Sequence, residues 1–282
     1  MSTNVHCRAR GVTLLELLVV LMILSIVLTA AVRTWDVTLE RGRAQTTVSK
    51  LNQLVTVIVG DPDYIVAGQR ADFGFVGDEG RVPDSLAELV VRPPGDSVWR
   101  GPYVRSTFNQ SSSGFQTDGW GQTIVYGRQA YGSYDSLFVR SYGGRGVADP
   151  SRWQTVHSPY TYDALTNNTV DGLVVDVRGK SPAEVSDTFR RSAIISNLKV
   201  TLYWPKDGKL DSLDQPGAAA PKFTFPGIPQ GTHRIVATYV NFNHLMRGTF
   251  TATQDVPVYP GLGAHNITLR LPVDWDDDKR IP

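Results

Sequence analysis

The chain has 282 residues, 41% of them hydrophobic, with 28 basic and 27 acidic side chains. That length suggests about two domains, and the near-neutral balance shows no basic excess of the kind that marks nucleic acid as a main partner. The lone cysteine, Cys7, lies in the first eleven residues, so the rest of the chain has no thiol and needs no disulfide.

The N-terminus is a short leader, Met1–Gly11, carrying Arg8 and Arg10 and no acid. Those arginines, directly before an apolar run, follow the positive-inside rule and predict a cytoplasmic leader. Without the leader the chain carries one more acid than base. The run itself is Val12–Val32, apolar apart from Thr13, Ser25, Thr29 and one acid, Glu16. At about 1.5 Å per residue it makes a helix of about 30 Å, enough to span a bilayer's hydrocarbon core. A carboxylate within such a span costs about 2.5–3.5 kcal/mol and calls for a partner or a purpose. Two cleavage readings are open on the residues alone: a weak secretory site at Ala30-Ala31, or a cut after Gly11 that keeps the helix.

The helix is expected to continue to residue 60. Val37, Ala44, Leu51 and Ile58 recur every seven residues, with Val48 and Val55 beside them, and Glu40, Arg43, Gln45 and Lys50 are assigned to the opposite face. Gly42 weakens the middle and predicts a bend or local melting; Gly60-Asp61-Pro62-Asp63 ends the helix. Residues 61–164 read as a small α+β head. Ser85-Leu-Ala-Glu88 has capping-box spacing ahead of a short helix, and β-prone runs follow at Trp99–Val104, Thr117–Tyr126 and Tyr134–Gly143. Residues 165–273 read as an all-β sandwich, with strands at Leu173–Val177, Leu198–Tyr203, Phe223–Phe225, Ile235–Val240 and Ile267–Leu271, a turn at Pro226–Gly231 and a short helical insertion at Ser181–Arg191. Residues 274–282, opening Asp-Trp-Asp-Asp-Asp, read as a solvated acidic tail.

Catalytic patterns are missing: there is no His-Glu-x-x-His, Walker loop or Gly-x-Ser-x-Gly elbow, and the protein is read as no enzyme. His6, His157, His233, His244 and His265 lack metal-ligand spacing and read as surface or strand residues. Trp99, Trp120, Trp153, Trp204 and Trp275 are assigned to packing rather than to a sugar-binding face.

The residues Gly11-Val12-Thr13-Leu14-Leu15-Glu16 resemble the processing motif of the type IV pilin superfamily. That resemblance implies cleavage after Gly11 by a prepilin peptidase, N-methylation of Val12, and Glu16 as the fifth residue of the mature chain. It also implies an inner-membrane precursor that assembly machinery moves into a homo-oligomeric helical filament, periplasmic or on the surface, in which Glu16 meets the α-amino group of Val12 on a neighbour and fixes register. Val82-Pro83, Leu86–Val90, Gly101-Pro102-Tyr103, Trp120-Gly121 and Ser141-Tyr142-Gly143 resemble the major pseudopilin of type II secretion, over residues 11–145. The loop that binds calcium there reads Gly143–Asp149 here, with one Asp and an Arg, so no metal or other cofactor is expected. Phe223–Tyr239 resembles a carboxypeptidase-regulatory-like sandwich. The expected architecture is therefore α+β: cleaved leader 1–11, spine helix 12–60 with 12–32 in the membrane or filament core, pilin-like head 61–164, β-sandwich 165–273 and tail 274–282. The expected function is a pilin or pseudopilin; the alternatives are a scarce tip pilin with an adhesive or recruiting sandwich, and a membrane-anchored binding protein that never assembles.

Overall fold

The computed structural model describes residues 14–104, 114–216, 221–241 and 248–276. The apolar run and the stripe after it form one helix, α1 (Leu14–Val59), 46 residues long and about 69 Å at 1.5 Å per residue. It passes through Gly42 without interruption, and Gly60, at φ +83°, ends it by donating its N–H to Thr56 O at 2.7 Å. A side chain at Gly60 would meet the backbone of Asp72 and Phe73 at 2.5–2.6 Å, so glycine is required for close approach as well as for the left-handed turn.

The head follows: a two-residue hairpin, β1 (Ile65–Val66) with β2 (Gln69–Arg70), then α2 (Gly74–Glu79) and a 3-10 turn at Leu86–Leu89. Its sheet has β3 (Val125–Tyr131), β4 (Tyr134–Ser141) and β5 (Gln154–Thr161) in that order, all antiparallel. Leu51, Leu54 and Ile58 of α1 pack with Phe75, Leu89, Val139 and Leu165 to form its core. The expected capping box is not made: Ser85 caps nothing, and Glu88 pairs with Arg81 at 2.8 Å instead. Trp99–Val104 forms no strand; its Gly101-Pro102 bond is cis.

After α3 (Tyr162–Thr166) the chain enters two facing sheets. One takes β6 (Asn168–Val175), β9 (Lys222–Ile228) and β12 (Ala264–Arg270) in the order β12-β6-β9, with β12 and β6 parallel. The other takes β7 (Leu198–Lys206), β8 (Lys209–Pro216), β10 (Gly231–Asn241) and β11 (Gly248–Val258) in the order β11-β10-β7-β8. Val170, Val174, Phe223 and Phe225 from the first sheet meet Leu198, Val200, Leu202 and Ile235 from the second, on the period-two alternation of each strand. The insertion is a 3-10 turn at Pro182–Glu184 and α4 (Thr188–Ser196), which runs past the expected end at Arg191. The expected turn at Pro226–Gly231 is shorter, because β9 continues to Ile228 and only Pro229-Gln230 separate it from β10.

The tail is corrected at its start. Trp275 is 2% exposed inside the sandwich core and Asp274 is buried against Arg178 at 2.5 Å, so chain through Trp275 belongs to the sandwich. Residues 277–282 lie outside the described residues.

Candidate assembly interface

Within α1 the side chains divide sharply. From Leu14 to Leu39 not one residue is buried; Leu14 is 82% and Trp35 67% exposed. Burial starts at Thr47 and continues through Lys50, Leu51, Leu54, Val55, Ile58 and Val59. Val37 and Val48, expected on the buried stripe, are exposed, because the head covers only the last four turns and from a slightly rotated side. The exposed stretch is 26 residues, about 39 Å by helix geometry, and its apolar part, Leu14–Val32, calls for lipid or other helices rather than water.

Glu16 lies in the first turn of α1, where its carboxylate complements the helix dipole, and it is exposed. Gly11 and Val12 lie outside the described residues, as do His6 and His244.

The second half of α1 is gripped by polar groups that the periodicity assigned to solvent. Lys50 is buried; its Nζ donates to Gly114 O at 3.0 Å and to Thr117 O, and burial pushes its pKa down while Asp118 partly restores it. Glu40 accepts from Trp120 Nε1 at 2.9 Å and faces Arg152 at 3.8 Å. Gly119 N donates to Thr47 Oγ1 at 2.9 Å, and a Cβ on Gly119 would strike Arg43 O at 2.6 Å. The Trp120 turn is itself fixed: Asp118 accepts from Trp120 N, Gln122 N and Ser141 Oγ. At the top of the helix the orphan Val59 carbonyl accepts from Arg70 Nη2 and from Gln230 Nε2, both at 2.8 Å, so head and sandwich together cap α1. We expect Lys50→Met to lower the stability of the head by about 1–3 kcal/mol in urea unfolding, since two carbonyls lose a charged donor; an unchanged midpoint would show that the grip is not needed.

The tryptophans split between this grip and the cores. Trp99 Nε1 donates to Glu88 O, Trp153 packs edge-on to Tyr142 at 5.0 Å, and Trp204 and Trp275 are in the sandwich core. His233 is buried on β10, its pKa pushed down to about 4 by burial, while His265 pairs with Asp171 and titrates above its ordinary value. In the Gly143–Asp149 loop Arg145 lies 3.7 Å from Asp149. Among the described residues no three His, Cys, Asp or Glu side chains come together.

Comparison with known proteins settles the class. Residues 7–32 match the prokaryotic N-terminal methylation motif. Over 116 residues the chain is 30% identical to type II secretion system core protein G of Xanthomonas campestris pv. campestris, which is 41% of this chain and 66% of that protein. The chain is a type IV pilin-like protein. The match accounts for less than half of this pilin-like chain, and no solved structure matches it. Its motif falls on the leader and the exposed half of α1, the segment the rest of the fold leaves uncovered.

Proposed function

We propose that the protein is a structural subunit of an extracytoplasmic filament, a type IV pilus or a type II secretion pseudopilus, and not an enzyme. The observation that carries this reading is the uncovered apolar half of α1 beneath an N-terminal methylation motif. Before assembly that half spans the inner membrane; afterwards it packs against the same helix of neighbouring copies. A prepilin peptidase cuts after Gly11, Val12 is methylated, and Glu16 pairs with a neighbour's α-amino group. Fixing register is the best-attested use of such a buried pair. The head, gripped on residues 40–59, carries the sandwich outward. The Gly143–Asp149 loop balances its carboxylate with Arg145 and takes no calcium, which wants six to eight oxygens.

Processing can be read directly, because the only thiol is Cys7. A maleimide mass tag is expected to label the precursor and leave the mature chain unlabelled; Gly11→Val should retain the label on every copy. Labelled chains within wild-type filaments would overturn cleavage after Gly11. Stoichiometry in sheared filaments then separates the roles. A shaft subunit dominates, a tip subunit is scarce, and an anchored binding protein is absent.

A further inference from the structure

Besides the β11–β12 loop, whose Tyr259 packs on Phe73 and whose Gly261 N donates to Ala164 O at 3.2 Å, two clamps hold the sandwich to the head. One is the β9–β10 turn, where Gln230 reaches Val59 O and Phe73 O and its own N–H donates to Leu165 O at 2.9 Å. The other is the β7–β8 hairpin tip. There Gly208 N donates to Glu79 O at 3.3 Å, and Gly208 O accepts from Ser97 N at 2.8 Å. The approach is close enough that a Cβ on Gly80 would overlap Pro205 O at 1.8 Å, and one on Gly208 would meet Asp96 Oδ2 at 2.7 Å.

Beneath the hairpin tip lie two acids. Glu79, the last residue of α2, has no exposed surface, and Asp96 is 7% exposed. Neither oxygen of Glu79 and not Oδ2 of Asp96 has an N–H or O–H donor among the described residues; both residues lie against Gly208 of the hairpin tip, and each carboxyl acts on the other's titration. Two neighbouring like charges are not both kept out of water. The groups around them are unequal. Asp96 Oδ1 accepts from Val98 N at 3.0 Å and Trp99 N at 2.9 Å, which stabilises its charge, whereas Glu79 has no such support. The other charged and titratable groups nearby are Asp78 and Arg81 on either side of Glu79, and Tyr103 from the loop that carries Asp96. Arg81 is engaged by Glu88, Asp78 by Arg100 at 3.3 Å, Arg92 binds Asp96 O, and Lys206 of the hairpin pairs outward with Asp211 at 3.6 Å. Among the described residues the nearby cations are therefore engaged with other partners, and Arg81 acts on the pair only at a distance.

We propose that Glu79 and Asp96 share one proton, Glu79 donating it to Asp96 Oδ2, and that this shared proton latches the sandwich onto the head. Losing it sets two buried carboxylates against each other and frees the hairpin tip, while the Gln230 clamp stays and acts as the pivot. The cleft of about 920 Å³ beside the latch, walled by Asp78, Arg100 and Tyr103 on one side and Tyr203, Arg234 and Asp255 on the other, then opens. The angle at which a filament displays the sandwich thereby becomes sensitive to the pH outside the cell.

Burial and the neighbouring Asp96 raise the Glu79 pKa from 4.5 to about 8. The sign follows from linkage. The closed joint holds the proton more tightly than the open one, so closure is strongest below 4.5, weakens by about tenfold per pH unit up to about 8, and is level above that. Asp96 titrates below its ordinary value, so it stays charged throughout this window and adds no slope.

Hydrogen exchange of the full chain in detergent micelles tests this at the amides of Ser97 and Gly208. After correction for intrinsic rates, opening at both should rise about tenfold per pH unit between pH 5 and 8, while the Gln230 and Tyr103 amides stay constant. Glu79→Gln, which donates from a neutral amide, should remove the slope. Asp96→Asn should lower the pH at which the slope ends, since Glu79 then faces no charge. A slope of zero in the wild type, or an equal slope in wild type and Glu79→Gln, overturns the latch. So does tightening of the wild-type joint by millimolar calcium at pH 9, which would assign the pair to a cation.

Discussion

A Glu16→Ala chain is expected to be cleaved and tagged like the wild type, yet to give at least a hundredfold less filament in sheared material. Two effects act on it with the same sign. Removing a carboxylate from a membrane helix makes the unassembled subunit more comfortable in lipid by about 2.5–3.5 kcal/mol. It also leaves the α-amino group of Val12 unpaired among apolar helices, and breaking one partner of a buried ion pair costs about 3–5 kcal/mol. A hundredfold loss needs only about 2.8 kcal/mol, at 1.4 kcal/mol per factor of ten, so the unpaired amine alone suffices and the lipid effect adds to it. Glu16→Gln keeps the shape and removes the charge, and should fail to a similar degree. Cleavage is expected to survive in both, because the bond cut lies before Val12. Wild-type filament yield from Glu16→Ala would remove the register argument and leave apolar packing as the whole basis of assembly.

What the sequence made legible was whatever is written locally. An apolar run of that length reads as a membrane or filament-core helix, and five strands of the sandwich were visible because Val, Leu, Ile and Phe recur along them. Besides the two-residue strands β1 and β2, the strands missed, β5, β8 and β11, are rich in Thr, Ser, Gln and Asp, and β5 contains Pro159; their pairing partners place them, and no local pattern does. Lys50 and Glu40 were misplaced for a related reason. Periodicity assigns a charged residue to solvent, whereas Lys50 reaches carbonyls 64 and 67 residues away and Glu40 meets an indole 80 residues away. The Glu79–Asp96 pair was invisible in the same sense: neither residue has a motif around it, and only the β7–β8 hairpin pressing on both buries them. Gly11, Val12 and Glu16 belong to the opposite category: in the proposed function a peptidase and a neighbouring copy read them in linear order.

Trp275, assigned to packing although the chain around it was read as a solvated tail, carries the second large expected effect. Replacing it with Ala should destabilise the sandwich by about 3–5 kcal/mol, the range for emptying a buried aromatic site. That is a large share of the 5–15 kcal/mol by which domains are usually stable. Its indole is 2% exposed, stands edge-on to Tyr239 at 5.3 Å, and donates from Nε1 to Lys180 O at 2.8 Å. The backbone there is fixed too: Trp275 N donates to Asp176 Oδ2 at 3.2 Å, while Asp176 Oδ1 holds Arg178 N and Lys180 N, both at 2.8 Å. Arg178 and Lys180 pair in turn with Asp274 and Asp276, so the acidic run is drawn onto a basic loop and the indole closes the open end of the core. Trp275→Phe separates the contributions. It keeps most of the packing and loses the hydrogen bond, so it should cost more than the roughly 1 kcal/mol of that bond but clearly less than Ala. A solvated tail would instead give under about 0.5 kcal/mol for either change. Urea unfolding followed through the near-ultraviolet aromatic signal distinguishes them, and a Trp275→Ala midpoint equal to the wild type would return the residue to the tail.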